Sequence, residues 1–386
     1  MATPSGKVQR FTHVYLSNWR NFARVNIDLQ RRAFLVGPNA SGKSNFLDVF
    51  RFLRDVAAPV GGGFQDAVSK HGGVSSLRFL GSRRPASIAI KVALGNDNFD
   101  SVWEYELTFT QDNRQRPFIQ TEKVIHLGKV ILERPNEEDE KDSARLSQTY
   151  LEQVNVNQHF REIAEFLASS RYLHVVPQLV REPDRSAGKH NDPYGGDFLE
   201  QLANTHYKTT KSRLERIVAA LKVAIPQFEQ LELRRDERGV PHLYARFSNW
   251  RNNIWINEDQ LSDGTLRLLG ILWSVQDGRG PLLLEEPELS LHAEIVRYIP
   301  QMLARVQHQS GRQVLVSTHS SDLLRDEGIG LDEVLLLLPS DTGTQMVSVD
   351  RISDAKPLLN NGLDLADVVV PHTSPASTQQ MALFWE

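Results

Sequence analysis

The residues Gly37-Pro38-Asn39-Ala40-Ser41-Gly42-Lys43-Ser44 fit the pattern G-x-x-x-x-G-K-[ST]. Glycines at such spacing let the backbone turn so that its N–H groups point inward at phosphate oxygens, and a following helix adds its positive N-terminus. In that arrangement Lys43 reaches the β- and γ-phosphates and the Ser44 hydroxyl ligates Mg²⁺. A second cluster, Pro281-Leu282-Leu283-Leu284-Glu285-Glu286-Pro287-Glu288, is an apolar run ending in acids. One carboxylate at such a strand end can hold the metal, and its neighbour can orient or deprotonate a water. Two shorter segments flank it: Leu261-Ser262-Asp263-Gly264-Thr265 and Ser317-Thr318-His319-Ser320. A Ser and Gly opening a helix make another anion-binding N-terminus. His319 at a strand end suits contact with a γ-phosphate, although such a histidine also serves to cap or pack.

The elements that position these residues follow from hydrophobic spacing. Phe11–Leu16, Val25–Leu29 and Ala33–Val36 read as strands, and Asn45–Val56 has apolar residues at helical spacing. Strand alternation fills Ala86–Arg134, and the acidic run Asn136–Asp142 reads as a solvated loop. Gln148–Ala168 and Asp197–Ala224 read as amphipathic helices. From Leu261 onward helix and strand alternate: helix Leu266–Val275, strand Pro281–Glu285, helix Ile295–Val306, and strands Gln313–Ser317 and Val334–Leu338. Such alternation implies a parallel sheet with helices on its faces. No sustained heptads appear, so a long coiled-coil arm is not expected. The recurrence of Ser17-Asn18-Trp19-Arg20-Asn21 as Ser248-Asn249-Trp250-Arg251-Asn252 has no similarity around it and is read as coincidence.

Composition narrows the classes. At 386 residues the chain exceeds one compact core, so two lobes are expected. A net charge of −4 argues against a surface that coats nucleic acid throughout, while leaving room for a local basic groove. The absence of cysteine excludes disulfides, thiolate nucleophiles and Cys-ligated metal. No signal-type or membrane-length apolar run occurs, so a cytoplasmic location is expected.

Taken in order, the phosphate loop, LSDGT, LLLEEPE and STHS resemble the P-loop, signature, Walker B with D-loop, and switch histidine of ABC-type ATPases. The opening Leu16-Ser17-Asn18-Trp19-Arg20-Asn21-Phe22 resembles the RecF-like branch of the RecF/SMC group. SDGTLRLL and EEPE are similar to single-chain bacterial ATPases grouped as AAA-21 or OLD-like. The resemblance is strong over residues 10–95 and 255–340. It implies an α/β P-loop fold: an ATPase head built from both chain ends (1–95 and 255–386), with a β and helical lobe (96–254) inserted. It implies ATP and Mg²⁺, with Ser44 and Glu285 on the metal, Glu286 as general base or water-positioner, and Lys43 and His319 at the phosphates. Gly37 to Asn45 would line the nucleotide, with Arg20 and Asn21 near its base or phosphates. A second phosphate cradle at Ser262, Asp263 and Gly264 makes sense if it serves the nucleotide of another subunit, hence a homodimer or higher oligomer closed around ATP.

The sequence departs from the ABC pattern where Glu285 replaces an Asp, and where Asp263 and Thr265 replace Gly and Gln. The D-loop stretch Glu288–His292 is atypical. For the Q-loop glutamine, Gln65 is the candidate, with Gly81-Ser82-Arg83-Arg84 at the connection. Arg20 and Asn21 also suit a strand end whose Trp19 packs on the core, and Arg83, Arg84, Arg234 and Arg235 suit either phosphate backbones or solvated faces. The stretch after His319 holds no evident D-x-D pair, so a nuclease lobe is not expected in this chain. The resemblance therefore implies an ATPase that regulates a separately encoded effector such as a nuclease, or clamps nucleic acid, in antiphage defence or DNA repair. An ATP-gated scaffold with little turnover and a transporter ATPase subunit remain as alternatives.

Overall fold

Strand alternation in the first third of the chain builds a sheet that is buried on one face. A computed structural model describes residues 9–82, 87–182, 192–248 and 254–373. Strands β1 (Arg10–Trp19) and β2 (Phe22–Asp28) form a hairpin, and β3 (Arg32–Val36) leaves it for a second sheet. Strands β4 (Ile88–Gly95), β5 (Trp103–Gln111), β6 (Pro117–His126) and β7 (Lys129–Arg134) complete a six-stranded sheet in the order β2-β1-β4-β5-β6-β7. In β5 the residues Trp103, Tyr105, Leu107 and Phe109 are buried in alternation. They face the helix Lys43–Ala57, whose Phe46, Phe50, Phe52 and Leu53 are fully buried; Phe11 and Phe50 meet with ring centres 4.6 Å apart.

The second sheet positions the chemistry. Strands β8 (Arg171–Leu173), β12 (Leu282–Glu285), β13 (Val314–Thr318), β14 (Val334–Leu338) and the edge strand β15 (Gln345–Ser348) join β3 in the order β15-β14-β3-β13-β12-β8. All neighbours are parallel except β14 and β15. β3 and β13 are buried along their whole length, as strands covered on both faces must be. The third sheet, β9 (Phe228–Arg235), β10 (Pro241–Phe247) and β11 (Trp255–Ile256), packs with helices Phe198–Asn204, Tyr207–Ala224 and Asp263–Gln276 around a separate core.

β4, which ends at Gly95, pairs antiparallel with β5 in the first sheet. Several expected elements are corrected. Only Arg161–Ala168 of the expected helix Gln148–Ala168 is a full α-helix. Upstream, the amides of Tyr150 and Leu151 are taken by the buried Glu122 carboxylate at 2.8 and 3.0 Å, a tertiary bond that outcompetes helical pairing. The acidic run holds a short helix, Glu137–Lys141, capped by Asn136; its Asp139 is buried in a bidentate pair with Arg134. The helix expected over Asp197–Ala224 breaks between Asn204 and Tyr207, and that over Ile295–Val306 breaks before Pro300. No helix among the described residues is long and apolar enough to cross a membrane.

Candidate nucleotide site

The loop between β3 and the helix Lys43–Ala57 has little freedom. A Cβ on Gly37 would lie 2.6 Å from both the Leu337 carbonyl and Ser41 Oγ, and Gly42 sits at φ 99°. Only glycine adopts that φ without strain. Gly42 offers no side chain to cap the helix, so its first N–H groups are not consumed by a cap. Lys43 Nζ donates to the Gly37 and Pro38 carbonyls at 2.9 and 3.0 Å and lies 3.2 Å from His319 Nδ1. Burial pulls the Lys43 ammonium below its ordinary pKa, while Glu286, Glu288 and Glu285 favour its charged form. Ser41 Oγ is buried without a hydrogen-bond partner. An orphaned hydroxyl in a strained, glycine-framed turn ahead of a long helix fits a phosphate.

Asn21 braces this loop from behind. Its amide donates to the Ser41 carbonyl at 2.9 Å and to Thr344 Oγ1 at 2.7 Å, and it accepts from Asn45 Nδ2 at 2.8 Å. Arg20 turns to Asp48 on the loop helix, with Nε 2.9 Å from the carboxylate. Trp19, fully buried, donates to the Asn45 carbonyl at 2.8 Å. Both side chains expected near the nucleotide are thus committed to the frame of the loop.

Parallel register sets Glu285 of β12 beside Ser317 of β13. The Ser44 hydroxyl donates to Glu285, joining the two motifs across 241 positions of sequence. Burial raises the Glu285 pKa, and the Ser44 bond opposes it. At Glu286 the backbone leaves the strand with φ 44°, which turns the side chain to His319 Nε2. Lys43, His319 and Glu286 therefore form one hydrogen-bonded chain. Among the described residues no cluster of three or more His, Cys, Asp or Glu could hold a metal. A magnesium ion on Ser44 and Glu285 would take its other ligands from phosphate and water, as Mg²⁺ commonly does.

Sequence reasoning missed several neighbours. Glu288 accepts from Thr318 Oγ1 at 2.6 Å and from the His319 amide at 3.0 Å, and its other oxygen is buried without a partner. Burial raises its pKa. Its position inside EEPE was the available signal. Arg267, one turn into the helix Asp263–Gln276, has its pKa lowered by burial and feels Asp263, Glu286 and Glu288. Thr344 lies in no motif; the β14–β15 hairpin brings it to the loop.

The signature residues stand apart from the phosphate loop. Ser262 is exposed and caps the helix Asp263–Gln276, accepting from the Thr265 amide at 3.2 Å. Asp263 pairs with Arg181 at 2.7 Å, which neutralises a charge that phosphate would oppose. A Cβ on Gly264 would lie 2.5 Å from the Ser290 carbonyl, so glycine lets this helix start approach the turn after Glu288. Among the described residues no hydrogen bond or ion pair joins Ser262, Asp263 or Gly264 to residues 37–45. Gln65 donates to the carbonyls of Pro117 and Ser147 at 3.0 and 2.8 Å. Arg234 pairs with Glu232 and stacks over Tyr244 and Trp255, and Arg235 donates to the Gly239 carbonyl. Arg83, Arg84 and the second copy of the Asn-Trp-Arg-Asn motif lie outside the described residues.

Comparison with known proteins gives a family and a fold. Residues 32–326 match the family model described as "AAA domain, putative AbiEii toxin, Type IV TA system". Over 46 residues the chain is 44% identical to Endonuclease GajA of Bacillus cereus (strain VD045), a stretch covering 12% of this chain and 8% of that protein. The chain thus matches less than a tenth of that relative. The SmcHead bound to the C-winged helix domain of ScpA superposes with a TM-score of 0.56 at 13% identity, covering 90% of this chain and 99% of that one. An Smc head domain with an extended coiled coil, bound to the C-terminal domain of ScpA derived from Pyrococcus furiosus, gives 0.51 at 14% identity, covering 91% and 98%. The chain belongs to the AAA-21 family of AAA-domain proteins and has the P-loop, ABC-type ATPase fold of SMC heads.

Proposed function

We propose that this chain binds ATP with Mg²⁺, hydrolyses it to ADP and phosphate, and closes as a homodimer around the nucleotide. The observation that carries this reading is the hydrogen-bonded chain Lys43–His319–Glu286 beside the Ser44–Glu285 pair. Lys43 clamps the phosphates, with backbone donors from Gly37 to Asn45 around it. Ser44 and Glu285 hold the metal; bound Mg²⁺ neutralises phosphate charge and polarises the phosphoryl group. Glu286 takes the proton of the attacking water, and His319 orients that carboxylate and reports the γ-phosphate. Ser262 and Gly264 of one subunit face the phosphates held by the other. Loss of the bridging γ-phosphate then opens the dimer.

The ATP state of the dimer regulates a separately encoded effector, or clamps nucleic acid, in antiphage defence or DNA repair in the cytoplasm. The short match to an endonuclease supports a nuclease as that effector. On this reading the head comprises residues 1–95 and 255–386.

Mixing inactive Ser262→Arg with inactive Lys43→Ala tests the composite site. Both lesions can fall in one site of a mixed dimer, so turnover returns. Full activity in Ser262→Arg, with a strictly monomeric Glu286→Gln protein in saturating ATP, shows a site complete in one chain. No turnover in the wild type alongside ATP-dependent dimerisation supports a scaffold instead.

A further inference from the structure

Strand β9 lies at the edge of its sheet: it pairs with β10 on one side and with no other strand among the described residues. The helix Tyr207–Ala224 returns into β9 through a link of three residues, 225–227, so helix and strand run antiparallel. They pack through Leu214, Ile217 and Leu221. At the end away from the link a groove of about 520 Å³ opens between them, lined by Tyr207, Lys211, Leu214, Leu233, Arg234 and Arg235. Leu214 and Leu233 give it an apolar floor, and Tyr207, 75% exposed, stands as one wall. Glu232 also lines the groove, paired with Arg234, and the rest of the rim is cationic. Lys211 and Arg235, and Lys208 one turn before, are exposed and make no ion pair among the described residues, in a chain whose net charge is −4.

We propose that this groove receives an extended, acidic segment of a partner protein, which adds a strand to the free edge of β9. The unpaired backbone groups of an edge strand are a template for another strand. Successive side chains of the added strand alternate in direction. Its apolar residues pack on Leu214, Leu233 and Tyr207, and its carboxylates meet Lys211 and Arg235. A single nucleic-acid strand fits less well, because it would find one exposed ring, Tyr207, while Tyr244 and Trp255 are engaged within the chain. Arg234 lies 4.3 Å over Trp255 and 4.9 Å over Tyr244, and Arg246 lies 5.5 Å over Trp255. These two arginines are also neutralised by Glu232 and Glu229. Bases would need those ring faces to stack on. The proposal gives the separately encoded effector a docking chemistry and rests on that reading.

The test uses the full chain and fluorescent ten-residue peptides that alternate Asp or Glu with Val, Ile or Thr, read by polarisation at low and high salt. Three probes serve as controls: the same peptides with Lys for the acids, the same compositions interrupted by central prolines, and an oligothymidylate. Acidic peptides are expected to bind, more weakly at high salt, and at least about tenfold more tightly than the Lys or proline series. The double variant Lys211→Glu, Arg235→Glu, both exposed positions, is expected to lose at least about tenfold with an unchanged melting curve and unchanged ATP binding; Tyr207→Ser, if the double variant melts early, is expected to weaken the same peptides. The proposal is overturned if no acidic peptide binds, if proline-interrupted peptides bind equally, or if both variants bind as the wild type does. Tighter binding of the oligothymidylate, lost in the same variants, also overturns it and makes the face a nucleic-acid surface. Nucleotide binding without peptide binding sinks the groove alone, and peptide binding without nucleotide binding sinks the ATPase reading alone.

Discussion

The Glu288 carboxylate accepts the backbone amide of His319 at 3.0 Å, tying the turn after β12 to the end of β13. The same oxygen takes the Thr318 hydroxyl at 2.6 Å. Glu288 thereby fixes where the His319 backbone starts, and through it the line from Lys43 to Glu286. Glu288→Ala is expected to lower turnover about tenfold or more, roughly 1.4 kcal/mol in the barrier, with ATP affinity changed little. Glu288→Gln, which keeps an acceptor oxygen, is expected to stay close to the wild type. Steady-state kinetics on both variants decide it; equal losses would leave the acceptor role without support.

Glu286→Gln keeps the shape of the side chain and removes the proton acceptor. Turnover is expected to fall about 10²–10⁴-fold while ATP stays bound. Lys43→Ala is expected to lose nucleotide binding with an unchanged melting curve. If Glu285→Gln abolishes turnover and Glu286→Gln does not, the two acids have exchanged roles.

Asn21 holds the Ser41 carbonyl, Thr344 and Asn45 with one amide. Asn21→Ala is expected to weaken nucleotide binding about five- to thirtyfold, the equivalent of about 1–2 kcal/mol in lost bracing. Titration with a fluorescent ATP analogue measures it. An unchanged affinity would show that the loop keeps its shape without this brace.

His71 is buried between Asp48 and Asp55, 3.0 and 3.1 Å from their carboxylates, and so links the loop helix to the helix Phe64–Lys70 that precedes it. Burial disfavours the charged imidazole, but the two hydrogen bonds outweigh it and its pKa is raised. Burial likewise opposes the charge on Asp48 and Asp55, whose pKa values are nevertheless lowered by His71 and neighbouring arginines. The histidine contribution to stability is therefore full below its ordinary value of 6.5 and is lost as pH rises through the raised folded value. The aspartate contributions are full above 3.8 and are lost as pH falls through the lowered folded values. His71→Ala is expected to cost about 3–5 kcal/mol near pH 6. Melting curves from pH 5 to 9 should show the gap between variant and wild type narrowing at the alkaline end.

Gly264 has no space for a methyl group beside the Ser290 carbonyl. Gly264→Ala must move either the start of the signature helix or the turn after Glu288, at about 1–3 kcal/mol. Reduced turnover with retained binding to Lys43 is the expected result.

The sequence alone determined the pieces whose signal is local. Gly37–Ser44 between a buried strand and an apolar-periodic helix specifies its own turn, because glycine spacing and strand burial act within a few residues. The strand Leu282–Glu285, the helix after Ser262 and the strand before His319 were legible for the same reason, and together they gave the fold class. Tertiary structure decided what depends on partners far along the chain. The amides of Tyr150 and Leu151 went to Glu122, so a segment with helical spacing stayed irregular. Asp139 found Arg134, so an acidic run became a buried corner. Asn21 and Arg20 turned inward to the loop helix because Ser41, Asn45 and Asp48 lay within hydrogen-bond reach only after β1, β2 and β3 had folded. Glu288 and Thr344 gained their contacts from the register of β12 on β13 and of β14 on β15. Periodicity encodes which face of an element is buried; which polar groups meet there is set by register and packing between elements, and a single sequence does not carry that in any local pattern.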